Sequence, residues 1–153
     1  MSKKPTSADA QLVLQLYDLR REAEMRKARN WWAAEFFPPS ADDVMKVAFI
    51  ASAPENNWFR QVAGYWNMAA SFVLLGALNE QLFLQPSVSG EMFLIFAKVH
   101  PFLKEIRQKL NNPDAWLNVE KVATSSKLAR KRLERVSVNV ESRRKQMAKS
   151  SKK

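Results

Sequence analysis

The sequence contains no cysteine, and this absence sets the first limit on what the protein can do. Disulfide bonds and thiolate metal sites are both excluded, which fits a protein from a reducing compartment, although small secreted proteins can also lack cysteine. Lys3 and Lys4 stand near the start, but no apolar run follows them, so no secretory signal peptide is visible. We therefore expect a cytoplasmic protein.

Glycine and histidine are also scarce: the 153 residues include three glycines and a single histidine, His100. So few glycines argue against a turn-rich β architecture and against the glycine-rich loops that cradle phosphates. One histidine excludes a two-histidine metal site within the chain. We expect His100 to be a structural or surface residue, and we expect no enzyme activity, no metal and no cofactor.

Carboxylates offer the remaining route to catalysis. Four glutamates are isolated in the sequence and can meet only through the fold: Glu35, Glu80, Glu91 and Glu105. Bundles that hold two metal ions combine such glutamates with histidines, of which this chain has one. An enzyme with a carboxylate site assembled by the fold is therefore the third hypothesis, behind two binding functions.

A run of apolar residues long enough to cross a membrane is missing as well. The most apolar stretch, residues 58–83, is interrupted by Gln61, Asn67 and Ser71, whereas a spanning helix needs about 20 predominantly apolar residues. Helical spacing places apolar side chains of this stretch on one stripe: Val62, Trp66, Ala69, Phe72 and Val73. We predict a buried core helix over residues 58–75.

A helix lying on the membrane surface is a separate alternative for the N-terminal third. Bases between Arg20 and Arg29 precede the pair Trp31-Trp32, and bases beside interfacial aromatic residues are typical of such a helix. Glu22 and Glu24 lie within the same run and dilute its charge. Membrane association is therefore not the function we expect.

Capping residues and prolines predict where the helices of the first half begin and end. Thr6 and Asp9 favour a helix start, and apolar residues at helical spacing continue to the aromatic group before Pro38. This pattern predicts a first helix of about 28 residues, with a length of roughly 40 Å. Ser40 predicts the start of a second helix, which should reach about Ser52.

Glycine and proline divide the second half. Gly76 predicts the end of the core helix, and Asn79 predicts the N-cap of a short helix. A further helix should begin at Ser89 and bend at Pro101. With the segment after Pro113 the chain has five or six helices, and we predict an all-α fold: a single-domain helical bundle with a basic C-terminal tail.

Two blocks of the sequence resemble a known kind of protein. In the first, the aromatic pair Tyr65-Trp66 is followed by small residues, by Gly76 and by "ALNEQLF"; the second is "GEMFLIFAKVHPFLKEIR", residues 90–107. Together with "LVLQLYDLRREAEMRKARNWW", they resemble a group of small, all-helical bacterial proteins with no assigned function. The resemblance spans residues 9–110, implies an all-helical fold and implies no activity.

Charge is distributed unevenly along the chain. Residues 127–153 hold eleven of the 25 bases and two of the 15 acids, so that fourteen bases and thirteen acids remain in residues 1–126. We therefore divide the chain into a flexible N-terminus (1–6), a helical domain (7–126) and a basic tail (127–153) that is partly helical or disordered. The apolar seam of the tail is thin. Deletion of the tail should consequently leave the melting temperature of the body nearly unchanged.

The basic tail supplies the candidate binding residues, because clustered bases attract the phosphates of a nucleic acid without reading its sequence. The candidates are Lys127, Arg130, Lys131, Arg132, Arg135, Arg143, Arg144 and Lys145. We expect a non-enzymatic accessory protein that acts through an unknown protein partner. The alternative is a protein associated with RNA, DNA or the ribosome through this tail. A further alternative is that these residues form a solvated tail that only improves solubility.

Overall fold

Helices make up the whole of the regular structure in the computed structural model, which describes residues 3–49 and 53–152. Within this part of the chain the α-helices are α1 (Ser7–Leu19), α2 (Ala23–Ala34), α3 (Ala41–Phe49), α4 (Pro54–Leu74), α5 (Glu80–Phe83), α6 (Pro86–Val99), α7 (Leu103–Leu110), α8 (Leu117–Ala123) and α9 (Lys127–Ser150). The all-α class is confirmed. The predicted number of five or six helices is too low, because three predicted segments are each divided into two helices: α1 and α2, α6 and α7, and α8 and α9.

The long first helix predicted from the sequence is wrong, since α1 and α2 are separated at residues 20–22. Helix α1 begins at the predicted cap, where Thr6 Oγ1 accepts the N–H of Asp9 at 3.2 Å. The break contains neither proline nor glycine; instead the Glu22 carboxylate caps α2 by accepting the N–H of Met25 at 2.9 Å. The break lets α1 pack on α5 while α2 packs on α4.

Helix α3 also begins at its predicted cap. Ser40 Oγ accepts the N–H of Asp43 at 3.2 Å and donates to the Asp43 carboxylate at 2.6 Å. The predicted end of this helix near Ser52 lies outside the described residues. Helix α4 then starts with Pro54 in its first turn, where the missing N–H of proline costs no helical hydrogen bond.

Helix α4 lies in the centre of the core, which confirms the prediction of a buried helix. Trp66 is 1% exposed, and Val62 and Ala69 are fully buried. The helix ends at Leu74, and Gly76, two residues later, has a φ of 76°. The N–H groups of Gly76 and Ala77 donate to carbonyls of the last helical turn at 3.1 and 2.8 Å, as in a Schellman motif. Every helix described here is too short or too polar to cross a lipid bilayer.

Helix α6 is the most thoroughly buried of the described helices, with eight of its fourteen residues buried. It begins at Pro86, three residues before the predicted Ser89, because proline is favoured at the first helical position. The predicted bend at Pro101 is confirmed: a 3₁₀ turn, His100–Phe102, joins α6 to α7. Most of the apolar side chains of α6 are inside the core: Met92, Phe93, Ile95, Phe96, Ala97 and Val99.

Helix α9 occupies the segment expected to be a partly helical or disordered tail. It is 24 residues long, and Ser126 caps it by accepting the N–H of Ala129 at 3.1 Å. It packs against α6 and α8, and Ala129, Leu133 and Val140 belong to the hydrophobic core. Packing of this apolar seam supplies the support that a marginal helix lacks on its own. The core therefore contains side chains from both sides of residue 126.

Candidate nucleic-acid interface

The outward face of α9 carries a row of bases that we call the basic stripe: Lys127, Lys131, Arg135, Lys145 and Lys149. All five are exposed. At 3.6 residues per turn they fall within one arc of the helix, opposite the buried Leu133 and Val140. From Lys127 to Lys149 the stripe extends along roughly 33 Å of helix, at 1.5 Å per residue.

Arg132, one of the eight candidates, lies on the inner side of α9. It is 9% exposed, and its Nη1 donates to the carbonyl of Leu84. Its guanidinium also lies 5.3 Å from the centre of the Phe93 ring. Burial, with the nearby Arg135, lowers the pKa of Arg132. This arginine is part of the packing between α9 and α6 and does not reach a ligand at the surface.

Arg144, a second candidate, has a similar internal role at the other end of α6. Its side chain is 11% exposed, and its Nη2 donates to the carbonyl of Lys98 at 3.2 Å. The guanidinium lies 5.3 Å from the Phe102 ring and pairs with Glu141. A cation at the carbonyls of a helix C-terminus interacts favourably with the helix dipole. Arg144 therefore holds α9 against the end of α6.

The other six candidates are at the surface of α9: Lys127, Arg130, Lys131, Arg135, Arg143 and Lys145. Arg130 is held beside the start of the helix, because its Nη1 donates to the carbonyl of Thr124 at 2.7 Å. Arg143 is exposed but lies to one side of the basic stripe. Lys149 was not among the candidates, although its position four residues after Lys145 places it on the same face.

A comparison with known families assigns residues 5–126, which precede α9, to a family. The family model of a domain of unknown function, DUF4760, matches residues 5–126. The chain belongs to this family. The match confirms the resemblance to a family with no assigned function, and it ends at Ser126, the residue that caps α9. Neither a search of curated proteins nor a search of solved structures found a match.

Inside the DUF4760 region, Lys98 is a buried cation that the sequence patterns did not single out. Its side chain is fully buried. Its Nζ donates to the carbonyls of Trp32 and Ala33 at the end of α2, the latter at 3.3 Å, and lies 3.6 Å from the centre of the Phe37 ring. Burial, and secondarily Arg144, lower the pKa of Lys98 to about 7. The sequence around Lys98 gives no sign of these partners, because they lie on α2.

The histidine and the carboxylates of the DUF4760 region are spread over the fold. His100 is exposed, with its ring 5.0 Å from that of Phe96. Glu91 accepts hydrogen bonds from Arg29 Nε at 2.7 Å and from Trp66 Nε1 at 3.1 Å, and so joins α2, α4 and α6. Among residues 3–49 and 53–152, no three His, Asp or Glu side chains are grouped so as to hold a metal ion.

Proposed function

We propose that this chain is a non-enzymatic accessory protein that binds nucleic acid through the basic stripe of α9. The observation that supports the proposal is the outward position of five bases on a helix whose other face is anchored in the core. An anchored helix holds its cations in place before binding. Less conformational entropy is therefore lost on binding than with a disordered tail.

The chemistry of the stripe fits a phosphate backbone. Lysine and arginine side chains pair with phosphate oxygens and displace bound counterions, and this attraction does not depend on base sequence. No aromatic residue occurs between positions 127 and 153, so base stacking is not part of the proposal. The proposal includes a cytoplasmic location, where RNA and DNA are accessible.

Arg132 and Arg144 have an indirect part in this function. Both donate to backbone carbonyls of the helices below, and they keep the stripe facing outward. Contact with an unknown protein partner, the first expectation from the sequence, stays a prediction. The positive charge on the outer face of α9 favours nucleic acid over a protein as the partner.

The proposal is tested by titrating the full chain with a random DNA duplex and a single-stranded RNA at several salt concentrations. If five charges contact duplex phosphates, the slope of log affinity against log salt should lie near −4.5, at about 0.9 per contact. Substitution of all five stripe residues by glutamine should abolish binding at about 50 mM salt.

The matched control replaces five exposed bases of the DUF4760 region by glutamine: Arg21, Arg26, Arg60, Lys104 and Lys121. Both variants have the same net charge, so only the position of the bases differs. The control variant should keep most of the affinity and the salt slope. Equal loss in the two variants would show that net charge and not the stripe binds the nucleic acid, and the proposal would be wrong.

A further inference from the structure

A small cavity of about 210 Å³ lies where α1, α4, α5 and α6 meet. Its walls are mainly apolar and include Val13, Leu16, Trp66, Phe83 and Val88. Arg20, the first residue after α1, also lines it and is the one charged residue among those described that does so. The cavity is thus an apolar space with a single cation in its wall, and none of these residues lies on α9.

Arg20 is a buried charged residue, and one of its N–H donors lacks a hydrogen-bond acceptor within the described ranges. The residue is 7% exposed, and its Nε–H is buried without an acceptor among the described residues. Its guanidinium lies 5.1 Å from the centre of the Tyr17 ring and 5.2 Å from that of Trp66. These rings hold the guanidinium in place, but an aromatic face does not satisfy an in-plane N–H donor. A buried donor left without an acceptor destabilises the folded chain, and a ligand that accepts from it removes that penalty.

Three polar side chains of the same region, Glu91, Asp18 and Tyr65, have other partners. Both carboxylate oxygens of Glu91 accept hydrogen bonds, one from Arg29 and one from Trp66. Asp18 is mainly exposed and lies 3.8 Å from Arg21. The hydroxyl of Tyr65 donates to the carbonyl of Leu16 at 2.7 Å. Within the described part of the chain, then, no carboxylate is paired with the guanidinium of Arg20.

We propose that this cavity binds a small monocarboxylate with an apolar body. The carboxylate pairs with the guanidinium of Arg20, and the hydrocarbon part lies against Val13, Phe83 and Val88. A guanidinium matches a carboxylate because its N–H donors form a planar fork. The apolar walls favour a ligand with one charged end over a polyanion, whose further charges would have no partner there.

The volume of the cavity sets the size of the ligand. Sites for drug-sized molecules have volumes of roughly 300–1,000 Å³, so a cavity of 210 Å³ takes something smaller. At about 30 Å³ for each water-sized group, it holds on the order of seven such groups. Hexanoate is of this size, and hexan-1-ol is a probe with the same chain and no charge.

The proposal is tested on the full chain by NMR, with ¹³C-labelled valine and leucine methyl groups as reporters. Titration with hexanoate should give saturable shifts at Val13, Leu16 and Val88, with a Kd in the range of about 1 mM or below. Hexan-1-ol should bind at the same methyl groups at least tenfold more weakly. In Arg20→Gln, the affinity for hexanoate should fall to that for hexan-1-ol, whose own affinity should not change.

Two further variants keep the test decisive. Arg21→Gln removes the exposed neighbouring arginine and should leave hexanoate binding unchanged. Val88→Phe fills the cavity while Arg20 stays in place, and it should abolish binding of both probes even if Arg20→Gln does not fold. The proposal is wrong if hexanoate gives no saturable shift, or if Arg20→Gln or Val88→Phe binds it as tightly as the natural chain.

Discussion

Helices α4 and α9, with 21 and 24 residues, are the longest of the described helices, and they join the core by different means. Helix α4 buries an apolar stripe, and the indole N–H of Trp66 donates to Glu91. Helix α9 buries a thinner stripe, and two arginines bind carbonyls at the ends of neighbouring helices. Arginine stems cover apolar surface while their guanidinium groups find acceptors. A basic composition is therefore compatible with a structural helix.

Ending the chain at Ser126 is the most severe test of this comparison. We expect loss of cooperative folding, because the deletion removes Leu133 and Val140 from the core and uncovers the face of α6 on which α9 packs. A buried Leu alone contributes about 2–5 kcal/mol, and the whole domain has only about 5–15 kcal/mol. This reverses the expectation from sequence that the melting temperature would hardly change. Urea unfolding of both chains checks it; an unchanged midpoint would mean that α9 is not part of the folding unit.

The core role of α4 predicts the next largest effect. Trp66→Ala should lower the free energy of unfolding by about 3–5 kcal/mol, because it leaves a large cavity and removes the donor to Glu91. Met68→Ala is the matched control, since Met68 lies two residues further on the exposed side of the same helix. A cost below about 1 kcal/mol for Trp66→Ala, in reversible denaturation, would contradict the assignment of the buried face.

Lys98 predicts how stability depends on pH at the junction of α2, α6 and α9. The pKa of Lys98 is about 7 in the folded chain and 10.5 as its ordinary value. Between these pH values the unfolded chain binds more protons, so stability should rise as the pH increases from about 7 to about 10. The upper limit of this rise is roughly 4–5 kcal/mol, at about 1.4 kcal/mol per pKa unit.

Lys98→Met should remove that rise and should stabilise the protein at pH 6. The expected gain is about 1–4 kcal/mol, because the relief of the buried charge is partly offset by about 1–3 kcal/mol for carbonyls that lose their donor. Stability measured by urea unfolding from pH 6 to pH 10 checks both statements. Lys104→Met, at an exposed lysine, should change neither the slope nor the stability at pH 6.

The smallest effects separate the two faces of α9. Arg132→Gln should cost about 1.5–3 kcal/mol, the usual range for a hydrogen bond of a charged group, because the Leu84 carbonyl loses its donor. Arg135→Gln should change stability by less than about 0.5 kcal/mol, yet lower the salt slope of duplex binding by about 0.9. Comparison of unfolding and duplex titration for the two variants checks this. If the two variants lost the same amount of stability, the division of α9 into a structural inner face and a binding outer face would be wrong.

Local signals in the sequence were sufficient for several elements. Thr6, Ser40 and Asn79 cap the helices that they were expected to cap, and Gly76 ends α4 with a positive φ. Each of these predictions depends on a hydrogen bond or a backbone angle within a few residues of the signal. The stripe of α4 was equally readable, because helical periodicity relates residues of one helix to each other.

Other features had no local signal. The break between α1 and α2 contains no glycine or proline, and its cap, Glu22, is not one of the residue types preferred at that position; the two helices pack on different partners. Two of the eight candidate bases, Arg132 and Arg144, bind carbonyls that lie 48 and 46 residues away in the chain. A list of bases could not separate them from the exposed ones.

By itself the sequence determined the helical class, the caps, the buried face of α4 and the concentration of bases after residue 126. Only the tertiary structure decided that α9 completes the core, that Arg20 and Lys98 are buried, and which bases face outward. The physical reason is the range of the interactions. Caps and helical periodicity act within one or two turns. The partner of a buried charge is chosen by helices that meet across the core.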